Sequence, residues 1–174
     1  MISIKTAGLA ALILGASGCA IEPYTPPTEG ETAWVVYSAN GTIDNGVVLS
    51  YDDDHCHHAR FVGRLGQRQV PNLFGSGKVG LPVYWLQTRV SAPGPVTNRV
   101  SLTHAGLRST TTCSVLFDFD AKPGKSYQVH FSYDANRCYV QVGRRDEPTG
   151  EEVLEPSAHS NSNMSCKFDK FMRD

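Results

Sequence analysis

The chain has 174 residues, of which 40% are hydrophobic and 19% are charged, and its formal net charge is −1. This composition is typical of one globular domain and excludes a collagen-like, intrinsically disordered or polytopic membrane protein. A nearly neutral domain also lacks the basic stripe used to bind nucleic acid, so no nucleic-acid partner is expected.

Residues 1–18 predict a cleaved signal peptide. The apolar stretch 7–16 is too short to span roughly 30 Å of bilayer hydrocarbon, but it has the length of a signal-peptide core. It leads into an Ala-Ser-Gly-Cys sequence ending at Cys19, which resembles the lipobox of bacterial lipoproteins. The resemblance implies cleavage before Cys19 and acylation of that residue, including palmitate. Because Ala20 rather than Asp follows, it also implies anchorage in the outer membrane. An ordinary secretory signal with an incidental cysteine is the alternative.

Residues 19–32 contain little to bury and several Pro, Glu and Thr residues, which predicts a lipidated cysteine followed by an extended tether. The remaining residues, 33–174, predict a single domain, because this length supports one sizeable core.

The domain shows apolar residues at alternate positions and no long helical periodicity. Seven or eight short strands separated by turn residues predict an all-β fold, an antiparallel β-sandwich of immunoglobulin-like or barrel-like form. A hairpin-like turn is expected between the first two strands, and a helical turn over 166–174. The predicted strands are Ala33–Ser38, Gly46–Tyr51, Ala59–Leu65, Val83–Val90, Val96–Thr103, two within Thr111–Tyr133, and one that starts near Cys138.

The segment Asp-Asp-Asp-His-Cys-His-His at 52–58 concentrates imidazoles and carboxylates, which are ligands for Zn²⁺, Cu²⁺ or Ni²⁺. On an extended strand, His55 and His57 would point to the same side, and His58 follows. Structural zinc sites, however, draw on spaced ligand pairs, and this run is contiguous. A solvated acidic turn beside a structural cysteine is therefore the stronger interpretation, with a His55, His57 and His58 metal site as the alternative and no cofactor expected.

The strongest alternation lies around a Lys-Pro-Gly-Lys turn. It predicts an inward face before and after the turn and leaves His130 pointing outward. If the two strands pair as a hairpin, Asp118 lies diagonally near His130, with Ser114 and Ser132 on the same face. Any exposed sheet face offers such polar residues, so no catalytic residue and no enzyme activity are predicted. The inward residues are Cys113, Val115, Phe117, Phe119, Tyr127, Val129, Phe131 and Tyr133.

If Cys19 carries lipid, four cysteines remain in an oxidising compartment and are expected to form two disulfides. Cys113 and Cys138 are predicted on strands separated by a third strand of one sheet, too far apart for a direct bridge. Cys56–Cys113 and Cys138–Cys166 are therefore the preferred pairs, and the other two pairings stay open.

The sequence FDAKPGKSYQVHF at 119–131, followed by a strand with a cysteine, is similar to segments of small bacterial lipoproteins with sandwich-like domains. The resemblance implies this fold and a location in the cell envelope.

The predicted function is that of an envelope lipoprotein, anchored in the outer membrane through Cys19 and facing the periplasm. It would be a non-catalytic binding or structural module with an envelope protein as partner. An immunity or inhibitor lipoprotein against a periplasmic toxin or cell-wall hydrolase is one alternative. A metal-binding envelope protein is another.

Overall fold

The computed structural model describes residues 21–40, 45–71, 78–83, 85–105, 110–134, 137–147 and 149–161. The predicted all-β sandwich is confirmed, because these ranges form two sheets and contain no helix. The helical turn predicted over 166–174 lies outside them.

The described ranges contain twelve strands. In chain order they are β1 (Glu22–Pro23), β2 (Thr32–Asn40), β3 (Asn45–Tyr51), β4 (Arg60–Pro71), β5 (Lys78–Val83), β6 (Trp85–Ser91), β7 (Gly94–Ala105), β8 (Thr110–Ala121), β9 (Ser126–Asp134), β10 (Arg137–Arg145), β11 (Val153–Leu154) and β12 (His159–Asn161). The seven-stranded sheet has the order β1-β4-β3-β7-β8-β12, with β5 joined to β4. The five-stranded sheet has the order β11-β10-β9-β2-β6.

Strand pairing departs from the sequence prediction in two ways. Two pairs, β1 with β4 and β2 with β9, are parallel, so both sheets are mixed. The hairpin predicted between β2 and β3 is wrong, because β2 belongs to the five-stranded sheet and β3 to the other. The turn after β8 likewise carries the chain from one sheet to the other. Alternation along a strand identifies its inward side chains whichever sheet the strand joins, so this part of the prediction does not depend on the pairing.

The main core lies between the two sheets and is built by alternate residues of the facing strands. Three alternate residues of β2 are buried, and six of the predicted inward residues of β8 and β9 are confirmed as buried, whereas Cys113 is half-buried and the side chain of Tyr133 lies outside the described part. The six are Val115, Phe117, Phe119, Tyr127, Val129 and Phe131. Cross-sheet contact includes the Phe119 and Tyr127 rings, with centroids 4.7 Å apart. The largest fully buried core side chains are Tyr37, Tyr127, Phe117, Phe119, Phe131 and Leu65.

A smaller apolar cluster lies on the outer side of the seven-stranded sheet. Leu49, Tyr51, Cys56 and Leu116 are buried there. The register between β3 and β4 shifts between Val48 and Leu49. Because Cys56 is part of this cluster, it attaches the loop at 52–59 to the sheet.

Part of the segment predicted as a tether joins the fold. Glu22 and Pro23 pair in parallel with Arg60 and Phe61 of β4. The next residue, Tyr24, donates its backbone N–H to the Phe61 carbonyl at 2.8 Å and its hydroxyl to the Arg89 carbonyl of β6 at 2.9 Å. Tyr24 thus connects both sheets at one end of the sandwich.

The hydroxyl groups of two buried tyrosines differ in their hydrogen bonding. The Tyr127 hydroxyl accepts the Lys122 N–H at 2.9 Å and donates to the Asp120 carbonyl at 3.3 Å, which fixes the crossover between the sheets. The hydroxyl of Tyr37, a residue only 1% exposed, has no hydrogen-bond partner in the described part of the chain. Burial accordingly raises the pKa of Tyr37.

We expect Tyr37→Phe to raise the free energy of unfolding by about 1 kcal/mol, because it removes a buried hydroxyl that makes no hydrogen bond. The matched variant Tyr127→Phe breaks two hydrogen bonds and is expected to lower it by about 1 kcal/mol. Urea denaturation of the two variants measures the difference. A loss of stability in Tyr37→Phe would contradict the buried, unpartnered hydroxyl.

A buried ion pair attaches the segment after β10 to the five-stranded sheet. Only 1% of the Glu155 side chain is exposed, and its Oε2 accepts from Arg144 at 2.9 Å. Its Oε1 accepts the hydroxyl of Ser157 at 2.7 Å and the backbone N–H of that residue at 3.1 Å. Burial alone would raise the pKa of Glu155, but the Ser157 hydrogen bonds and the Arg144 charge outweigh it and hold this pKa below its usual range.

Candidate recognition face

The outer surface of the five-stranded sheet, here called the recognition face, carries the polar and aromatic residues that alternate with the core positions. Its side chains come from the four strands β6, β2, β9 and β10, which lie side by side. The pairing registers place them in rows across the sheet. The residues of this face include Trp34, Val36, Ser38, Trp85, Gln87, Arg89, Ser126, Gln128, His130, Ser132, Arg137, Tyr139, Gln141, Gly143 and Arg145.

Three aromatic rings stand out from this face into solvent. Trp34 is 45% exposed, Trp85 63% and Tyr139 50%. Among the side chains that the structure describes, these are all of the exposed Trp, Tyr and Phe residues, and they lie on one face of one sheet. The Arg89 guanidinium lies 5.7 Å from the centre of the Trp34 ring, which holds that ring in place by a cation–π contact.

A hydrogen-bonded network occupies the middle of the face. Ser38 and His130 are register partners on β2 and β9, and the Ser38 Oγ lies 2.8 Å from His130 Nδ1. On the other side of the ring, His130 Nε2 lies 2.9 Å from Glu152 Oε1. Arg145 donates to the second Glu152 oxygen at 3.4 Å. Together these four side chains form a continuous polar row across three strands.

The chemistry of the carboxylate determines the direction of the hydrogen bonds. An ionised Glu152 only accepts, so the proton of a neutral His130 imidazole lies on Nε2. The Nδ1 atom then accepts the hydroxyl proton of Ser38. Both lone pairs of the Ser38 oxygen are left to accept a hydrogen bond from outside the protein.

Gly143 makes room for the Glu152 side chain. Gly143 lies on β10, and a Cβ atom built there would overlap with the carboxylate and Cγ of Glu152. A glycine inside a strand often marks such a close approach. The absence of a side chain on this residue therefore allows Glu152 to lie across the sheet and reach His130.

The Ser38, His130 and Glu152 row resembles a nucleophile, base and carboxylate in residue type. On β2, Ser38 pairs with Trp85 of β6 and with His130 of β9. The row is suited to fixing hydrogen-bonding groups in place.

The cluster considered around His130 from sequence is not assembled. Asp118 and Ser114 lie on β8 of the other sheet, because β8 pairs with β7 and β12 and not with β9. The Asp118 carboxylate lies 3.5 Å from His159, and the Ser114 hydroxyl lies 2.5 Å from Arg99 Nε. Sequence reasoning found the outward position of His130 and missed its true partners.

The histidine-rich segment forms a tight loop and not the extended strand considered above. Cys56 and His58 have backbone φ angles of 63° and 50°. The imidazole Nδ1 of His57 lies 2.6 Å from an oxygen of Asp53, and that of His58 lies 2.8 Å from one of Asp52. The His55 and His57 rings meet edge to face at 6.1 Å.

Hydrogen bonds inside this loop use the aspartate oxygens. Contacts with Arg60 and His58 hold the pKa of Asp52 below its usual range, and the backbone N–H and imidazole of His57 do the same for Asp53. Across the ranges that the structure describes, no three His, Cys, Asp or Glu side chains are grouped so that they could hold a metal ion. The geometry is that of a solvated turn anchored by Cys56.

The disulfide preferred from sequence is wrong, because Cys113 bonds to Cys138, with Cα atoms 6.0 Å apart. The prediction assumed that the strands of both cysteines share one sheet. They belong to facing sheets, β8 in one and β10 in the other, so their side chains meet across the core. Cys56 is also disulfide-bonded. Cys166, the other cysteine of the predicted pairs, lies outside the described residues.

Neither a known protein family nor a curated protein matches this chain. Among the residues with described positions, no helix is long and apolar enough to cross a membrane.

Proposed function

We propose that the protein is a lipoprotein of the bacterial envelope, anchored in the outer membrane through Cys19, and that its sandwich is a non-catalytic binding module facing the periplasm. The recognition face is the binding surface. The observation that carries this proposal is the location of Trp34, Trp85 and Tyr139, which are the exposed aromatic residues among the described side chains, on one face of one sheet.

Physical arguments support binding at this face. Exposed aromatic rings are enriched at sites of recognition, because they offer a large apolar surface at a small cost in side-chain entropy. The polar row between them is ordered by its own hydrogen bonds, so little further entropy is lost when a ligand contacts it. The metal-binding alternative has no comparable support in the loop at 52–59.

The test is in vivo photo-cross-linking of the anchored protein. A photoreactive amino acid replaces Gln87 on the recognition face or, as a matched control, Arg64, an exposed residue of the seven-stranded sheet. We expect an adduct from the Gln87 site only, and its loss in Cys19→Ser. Labelled palmitate should enter the wild-type chain and not the Cys19→Ser variant.

Equal adducts from both sites would contradict a dedicated face, and an unchanged adduct in Cys19→Ser would contradict a role that depends on the anchor. The identity of the adduct separates the possible ligands. A periplasmic toxin or a cell-wall hydrolase captured at Gln87 would identify the module as an inhibitor or immunity protein.

A further inference from the structure

We propose that the recognition face binds a glycan chain, with sugar rings stacked on the exposed aromatic side chains. This inference depends on the proposed function, since it names the ligand class of the same face. A sugar ring presents an apolar face of C–H groups and an edge of hydroxyl groups. A surface that recognises a sugar therefore needs flat rings beside neutral hydrogen-bonding groups.

The spacing of the rings fits a chain of repeating units. Trp34 and Trp85 are on neighbouring strands, but the register offsets them by four residues, which places them roughly 14 Å apart. Tyr139 lies three strands from Trp85 and is offset by two residues, a separation of roughly 16 Å. Each ring thus contacts a different part of an extended ligand.

The same spacing disfavours a protein as the ligand. The residues that dominate protein–protein binding cluster near the centre of the interface and exclude water together. Here the centre of the face holds the half-buried Val36 beside the polar Ser38 and His130, and the three exposed rings lie around it. The exposed rings do not cluster, which distinguishes the face from the aromatic centre of a typical protein interface.

The polar side chains between the rings can form hydrogen bonds with the hydroxyl groups of a sugar. Gln87 and Gln141 are exposed and Gln128 is half-buried, and each amide both donates and accepts without a net charge. Of the charged groups of the face, Arg145 contacts Glu152 and Arg89 lies over Trp34. Arg137 is exposed on the same strand as Arg145.

The central row supplies fixed acceptors. With the imidazole proton on Nε2, the Ser38 oxygen can accept a hydrogen bond from a ligand hydroxyl group. The Glu152 oxygens have further lone pairs that can do the same. Gly143 holds this arrangement open, because any larger side chain there displaces Glu152. Gly143 therefore acts as a positioning residue for the site.

The experiment uses intrinsic fluorescence, because the two tryptophans of the chain, Trp34 and Trp85, both lie on this face. The full-length lipidated protein, in a detergent without a sugar headgroup, is titrated with neutral oligosaccharides from one unit to long chains. We expect a saturable change in tryptophan emission, with an affinity that rises with chain length until the rings are spanned. Soluble oligosaccharides and isolated cell-wall glycan strands are separate arms that identify the source.

Variants test the site itself. Trp34→Ala and Trp85→Ala are each expected to weaken binding about tenfold, measured by calorimetry where the fluorescent ring is lost. Gly143→Ala is expected to weaken binding while the two rings remain. Ile21→Ala removes an apolar side chain exposed to a similar degree, 41%, away from this face, and should bind as the wild type does. Circular dichroism checks that each variant is folded.

Two negative results are distinguishable. Cross-linking of a protein at Gln87 without any response to glycans would overturn the glycan inference and leave the recognition face intact. Absence of both would overturn the proposed function as well. Equal binding by wild type, Trp85→Ala and Gly143→Ala would show that glycans attach elsewhere and would also refute this inference.

Discussion

Replacing both Cys113 and Cys138 with alanine is expected to lower the free energy of unfolding by about 3.5 kcal/mol. The bridge closes a loop across 25 positions of sequence, and the chain-entropy relation gives about this value for a loop of that length. Because the bridge connects the two sheets, its loss acts on the packing of the whole sandwich. Chemical denaturation without reductant measures the change.

A peptide map under non-reducing conditions provides the control for this prediction. It should recover Cys113 linked to Cys138 in the wild type, and Cys56 should stay bridged in the double variant. A map that links Cys113 to Cys56 would contradict the cross-sheet bridge, as would an unfolding free energy unchanged by the double substitution.

Glu155→Gln is expected to destabilise the fold by about 3 kcal/mol at neutral pH, because it leaves Arg144 without its buried partner. The value lies at the lower end for buried pairs, since Arg144 keeps a contact with Asp146 at 3.0 Å. The matched control is Glu151→Gln, an exposed neighbour, which should change stability by no more than about 0.5 kcal/mol.

The same pair predicts the sign of the pH dependence. The pKa of Glu155 is lower in the folded chain than its ordinary value, so its stabilisation is complete above the unfolded pKa of about 4.3 and is lost as pH falls through the folded value. The difference between wild type and Glu155→Gln should therefore shrink below about pH 4.3. A difference that stays constant down to strongly acidic pH would exclude an ionised Glu155 as its source.

The fold class could be predicted from sequence because a strand reports its buried face locally. The alternation through Val115, Phe117 and Phe119 is enough to identify inward residues. The choice of sheet is not local. Turn residues before β3 and before β9 suggest hairpins equally well when the chain crosses to the other sheet, and the disulfide prediction failed for this reason.

The recognition face was only partly predictable. The outward position of His130 followed from alternation, and the same argument applied to β2 would have placed Trp34 and Ser38 on an outer face. Their position beside His130 depends on the parallel pairing of β2 with β9, which joins segments far apart in the chain. Glu152 carries no sequence signal of its own, although Gly143 inside a strand is a sign of close approach.

If Cys19 carries lipid, the pairing of β1 with β4 determines how far the domain can move from the membrane. In a protein lipidated at Cys19, only three residues separate the lipid from Glu22, a reach of about 10 Å at most. The end of the sandwich that holds Tyr24 must then stay beside the bilayer, and the domain cannot diffuse into the periplasm. Such a module meets only what comes to the membrane surface, where its effective concentration is set by this short connection and not by expression level alone.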